Sequence, residues 1–441
     1  MGVLKIWHNV CLIKSMMLIF ATTSTVNAGD NAWVLVSAAL VLVMCIPGLF
    51  LFYGGLVRSK NVLSIAAQCL ALTAMGILMW WGFGYSLVFG KSLAGSSLGH
   101  IFGGTEHFGF AGIGAGASNY DGRISSGAFA IFQAMFAAIT PALIIGAVAE
   151  RMKFSAVMLF SALWTLLVYY PMAHAVWGQS GDFSGIANAQ STFKAIDFAG
   201  GIVVHMTSGW SALILCMIVG PREGFGKRAM PPHSMVLCVL GTGLLWAGWY
   251  GFNAGSALAA DGIAVQSFLT TTLGAAAATL SWAVVEIFHR GKPSVLGLCS
   301  GAIAGLATIT NAAGFVSTGS AVVIGVIAGA LSYAACSYLK NKLKYDDALD
   351  TFGVHGVGGT IGAMATALLV SPQINPATEG IVSSVIQGQL VAMGVCILLS
   401  VVATALIAKL VQKTIGLRPS EEEEAQGLDI ADHGEEGYNH G

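Results

Sequence analysis

Apolar residues run through this chain in long uninterrupted blocks, without the short alternation of strands. Windows almost free of charge cover residues 33–56, 62–89, 126–149, 154–177, 198–219, 235–256, 263–286, 295–312, 319–339, 352–371 and 384–408. Each meets or approaches the ~20 residues that a helix needs to cross a bilayer core. The stretch from Pro293 to Leu339 carries no charge and is too long for one crossing. Asn311-Ala-Ala-Gly314 and Ser317-Thr-Gly-Ser320 supply a turn within it. The pattern predicts an all-α polytopic membrane protein with eleven transmembrane helices.

The charges test that count. Of 20 Lys and Arg, fifteen fall in alternate connections and the tail: Arg58, Lys60, Arg151, Lys153, Arg222, Lys227, Arg228, Arg290, Lys292, Lys340, Lys342, Lys344, Lys409, Lys413 and Arg418. Only Lys91, Arg123 and Lys194 lie in the other connections. Positive charge marks the cytoplasmic side. The expected topology has the mature N-terminus outside and the C-terminus in the cytoplasm. Lys5, Lys14, a short apolar run and Val26-Asn27-Ala28 read as a signal peptide over residues 1–28; an uncleaved anchor is the alternative. Residues 29–412 then form the membrane domain and 413–441 an acidic cytoplasmic tail.

Composition narrows the class. Charged residues are 9% of the chain and hydrophobic ones 56%, against roughly 25% charged in soluble domains. A soluble enzyme is excluded, and a net charge of −1 offers no footprint for nucleic acid. The 57 glycines suit close helix packing in lipid. Eight cysteines form no CxxC pair and read as buried free thiols.

Eleven crossings divide as a 5+5 inverted repeat plus one, a transporter architecture. Asp197-Phe-Ala-Gly-Gly-Ile-Val-Val-His205 and Asp350-Thr-Phe-Gly-Val-His355 are its sequence hint.

Ionisable residues within the windows are costly and point to function. They are His174, His205, His355, Asp197 and Glu286. Glu286 reads as an end charge reaching for the interface. His205 and His355 stand near mid-depth, where two imidazoles can share a hydrogen bond and line a polar thread. Unconnected core histidines, or a two-histidine metal site lacking a third ligand, remain open. Asp197 is either a helix N-terminal carboxylate or a support for a cation site. Phe132 and Phe136 share a helix face. Trp177, Trp249, Phe252 and Ser256 complete an aromatic set that is either packing or a cation site.

At these residues the sequence resembles the ammonium transporter family (Amt/Mep/Rh), in its bacterial AmtB-like branch. The matching stretches are Ile46-Pro-Gly-Leu-Phe-Leu-Phe-Tyr-Gly-Gly55, Gly146-Ala-Val-Ala-Glu-Arg151, Ala195-Ile-Asp-Phe-Ala-Gly-Gly201, Gly251-Phe-Asn-Ala-Gly-Ser256, Gly297-Leu-Cys-Ser-Gly-Ala-Ile-Ala-Gly305 and Asp350-Thr-Phe-Gly-Val-His-Gly356. The resemblance implies ammonium recruitment by Phe132, Trp177 and Ser256, supported by Asp197. It implies a phenyl gate of Phe136 and Phe252. It implies conduction past His205 and His355, with Trp249 lining the pore. It also implies a homotrimer in the inner membrane, a PII-type regulator at the cytoplasmic face, and neither cofactor nor resident metal. The Gly-rich segment 90–127 departs from the pattern and reads as a surface elaboration, with a wall of the vestibule as the alternative. The acidic tail reads as solvated. An ammonium sensor on the same scaffold and a histidine-metal membrane enzyme are the alternatives.

Overall fold

A computed structural model describes residues 26–438. The expected signal peptide lies outside the described residues except for its last three positions. Among the described residues, ten helices are long and apolar enough to cross a bilayer. They are α1 (Ala28–Leu56), α2 (Ser59–Phe89), α3 (Ser126–Val148), α4 (Phe154–Trp177), α5 (Gly201–Val219), α6 (Met235–Ala257), α7 (Gly262–Arg290), α9 (Thr318–Leu343), α10 (Phe352–Leu369) and α11 (Val382–Thr414). The remaining window forms α8 (Val295–Ile309), a shorter helix of 15 residues. The expected eleven therefore appear as ten full-length crossings and one short apolar helix, completed by a buried turn through Val316.

Side-chain oxygens start many of these helices. Ser125, Ser234, Asp261, Ser294 and Ser317 each accept a backbone N–H from the first turn, which satisfies donors that have no partner within the helix. Helix α3 is central, with nearly every side chain buried. Leu78, Val236, Leu280 and Phe288 are exposed on the outer helices, as suits a chain solvated by lipid.

The bundle has two ends. One, the loop face, carries segment 90–125 and the starts of α3 and α7. The other, the tail face, carries the residues after α11. Helix α5 starts at the loop face and ends where Arg418 of the tail donates to Val219 O. Helix α10 starts at the tail face and ends beside Phe315, where Ser371 N donates to Phe315 O. The two helices therefore run in opposite directions. They cross without side chains between them, since a Cβ on Gly209 would overlap the Gly356 backbone.

The acidic run is solvated at Glu421, Glu422 and Glu423, but Glu424 and the residues that follow dock on the bundle. Helix α12 (Glu421–Gln426) opens with a Ser420/Glu423 capping box. Asp429 then accepts Ser64 N at 2.8 Å and Asp432 accepts Phe154 N at 3.1 Å. Two tail acids thus cap the starts of α2 and α4. Leu428 N donates to Asn61 at 2.8 Å, and Tyr438 meets His233 at 2.9 Å. Glu286 is also corrected. It is buried and accepts Ser294 N at 3.0 Å, so it joins α7 to the start of α8 and does not reach for the interface.

Candidate functional site

A cavity of about 470 Å³ opens at the loop face. Phe136, Trp177, Asp197 and Ser256 line it. Trp177 is oriented by a bond from its indole N–H to Asp197 O, 2.9 Å. The Ser256 hydroxyl donates to Phe252 O at 2.8 Å. Its oxygen lone pairs remain free to accept from a ligand. Phe132 is fully buried and absent from this lining; it packs edge-on behind Phe136 at 5.0 Å. Gln133 lines the cavity and was missed by sequence reasoning. Its Oε1 is buried without a partner, a feature that only the fold reveals.

From this cavity a column of rings descends into the bundle. Trp177 meets Phe136 at 5.9 Å, Phe136 meets Phe252 at 4.3 Å, and Phe252 meets His205 at 6.0 Å. His205 then meets His355, their planes 18° apart. The two Nδ1 atoms are 3.2 Å apart. A hydrogen bond between two like nitrogens needs a proton on only one of them. Trp249 stacks on His205 at 5.5 Å and is held by its N–H to Thr310 at 2.8 Å. Around the pair, Met44, Leu49, Phe52, Leu143, Leu245 and Ile303 enclose only about 10 Å³, the lower limit for one water. The His205 Nε2 is buried and unpartnered.

Each histidine sits in a short wide-turn segment, Gly201–Met206 or Phe352–Val357. Wide π turns commonly mark functional positions. Asp197 anchors the first segment by accepting Gly200 N and Gly201 N at 2.7 Å and Ile202 N and Val203 N at 2.9 Å. Both its oxygens are thereby occupied, so it positions the backbone and leaves little capacity for direct cation binding. The second segment is anchored by Asp347, which accepts Thr351 N at 3.0 Å and Phe352 N at 2.7 Å. The repeat hint therefore needs correction. Asp350 pairs with Lys340, while Asp347 stands eight residues before its histidine, as Asp197 does. Gly200 and Asp350 share the same offset and both have positive φ, 114° and 61°. His174 is separate from this column, with ring nitrogens facing Val88 O at 2.8 Å and Gly99 O at 3.0 Å.

The family model described as Ammonium Transporter Family matches residues 32–438. This chain belongs to that family. It is 44% identical to the ammonium transporter of Bacillus subtilis, covering 93% of this chain and 98% of that one. It is 39% identical to ammonium transporter Amt1 of Archaeoglobus fulgidus, covering 93% and 99%. Among solved structures it resembles Saccharomyces cerevisiae Mep2, with a TM-score of 0.81, 35% identity, and 90% and 89% of the two chains covered. Family membership and the apolar helices make the protein a multi-pass membrane protein of a transporter family.

Proposed function

We propose that this chain is an ammonium transporter of the inner membrane, with the loop face outside and the tail face in the cytoplasm. The distribution of Lys and Arg supports that orientation. The observation that carries the mechanism is the 3.2 Å histidine pair at the end of the ring column, inside an apolar constriction. Ammonium settles in the outer cavity against the Trp177 and Phe136 faces, donating to Ser256. Ring faces attract a small cation by roughly 0.5–2 kcal/mol each. Beyond Phe136 and Phe252 no room remains for a hydration shell, and a bare cation pays several kcal/mol to enter. Neutral ammonia does not pay that cost. Ammonium therefore gives up its proton to water in the cavity, and ammonia passes the gate and moves along the imidazole edges.

The pair can carry the released proton. A proton gained at one Nε2 shifts the shared Nδ1 proton across, and the other Nε2 gives one up. Charge and proton count balance, and both rings return by tautomer exchange. Potassium has no proton to lose and is refused. Asp197 and Asp347 hold the two turns in register. The family's homotrimer and a PII-type regulator at the tail face belong to the same reading.

Proteoliposomes given an ammonium jump test it, with potassium as control. A transient current with ammonium and none with potassium is expected. His205→Leu or His355→Leu should abolish that current or admit potassium. Unchanged current and selectivity in both variants would overturn the relay. Ammonium binding without current or internal pH change would favour a sensor.

A further inference from the structure

Segment 90–127 reaches the transport path. Its end supplies Tyr120, Asp121 and Arg123 to the lining of the outer cavity, facing Asp261 at the start of α7. The segment is held at both sides of that stretch. Gln179, just past α4, donates to Asn119 O at 2.9 Å. Asn31 of α1 accepts Ser125 N at 3.0 Å and its hydroxyl at 2.9 Å. Between these anchors Arg123 grips Asp121 through Nη2 at 2.9 Å and Nε at 3.2 Å, and reaches Asp261 through Nη1 at 3.3 Å.

The groups lining the cavity that carry charge at neutral pH are Asp121, Asp197, Asp261 and Arg123. Among the described residues no lysine or histidine joins them, so three carboxylates face one guanidinium, for a formal charge of −2. Burial pulls the Asp121 carboxyl up, but the hydrogen bonds and charge of Arg123 outweigh it and hold it below the usual range. Asp121 in turn raises Arg123. Both stay charged across the working pH range. The Asp197 oxygens are occupied by backbone N–H groups, so the adjustable charge lies at the rim.

We propose that Asp121, Arg123 and Asp261 form the mouth of the transport path and set its affinity for the incoming cation, with Arg123 as a built-in competitor for the two rim carboxylates. This rests on the transport reading above. A charged rim over low-dielectric walls concentrates the opposite charge. Its pull is strong where the Debye length is about 30 Å, at 0.01 M salt, and weak where it is about 8 Å, at 0.15 M.

The test is the ammonium concentration giving half-maximal current, measured in low and high sodium chloride. Asp261→Asn removes a charge but keeps a competent helix cap. It should raise the half-saturating concentration by about twofold to fivefold at low salt. Arg123→Gln should lower it by a similar factor. Maximal currents should hold, and both shifts should shrink at high salt. Shifts in the same direction, shifts indifferent to salt, or no shift would each overturn the proposal and leave the rim as a structural staple. Absence of ammonium current in the unmodified protein would instead overturn the transport reading.

Discussion

At the residue scale, one carboxylate does an unusual amount of scaffolding. Asp197 satisfies four consecutive backbone donors that would otherwise be buried without partners. Each orphaned group costs about 1–3 kcal/mol. Asp197→Ala should therefore lose several kcal/mol of stability, read as a large fall in melting temperature in detergent, together with ammonium current. Gln133→Leu should raise the melting temperature slightly, because it removes a buried acceptor that has no partner. The sequence made Asp197, His205 and His355 legible because ionisable groups stand out in an apolar run. It hid Asp347 because Asp350, closer to the second histidine, offered a tidier match. Equal spacing to the histidine was the better guide. Gln133 left no signal, since an amide beside two aromatics is unremarkable until its partner is found missing.

Elements were legible to the extent that hydropathy controls them. Every apolar window became a helix, and the capping residues Ser125, Ser234, Asp261 and Ser294 precede their helices as local chemistry requires. Crossing geometry was not legible. The contact of α5 with α10 depends on Gly209 meeting Gly356, two glycines among 57. Gly209→Val should push these helices apart and break the histidine pair. Loss of current with reduced yield of folded protein is the expected result. The role of segment 90–127 stayed open for a related reason, since composition alone does not show where a glycine-rich segment returns to the bundle.

Across the whole molecule, the tail face is joined by buried charge. Arg222 bridges Asp346 at 2.8 Å and Glu150 at 3.2 Å, and Arg58 reaches Glu150 at 2.9 Å. Burial opposes both carboxylates, but Arg222 with Arg58 and Arg151 outweighs it and holds them below the usual range. Such groups stabilise the fold above their unfolded pKa, about 4, and that contribution is lost as pH falls through the lower folded value. Melting temperature should therefore drop steeply on acidification below about pH 4. Arg222→Met should lower it at neutral pH by about 3–5 kcal/mol equivalent and flatten the acid response. A variant that melts like the parent at both pH values would show that the network contributes nothing. This clamp was invisible in sequence, since its members come from four separate connections.

The capping of α2 and α4 by Asp429 and Asp432 also has a consequence for how the chain is made. Ser64 and Asp429 are separated by 365 positions, and Phe154 and Asp432 by 278. A ribosome releases the first hairpins long before their last hydrogen-bond acceptors exist. The nascent bundle waits with open helix starts at its tail face, and the residues after α11 close them. Termination upstream of Asp429 leaves those donors bare, so the fold reports at one place whether translation passed Asp429 and Asp432.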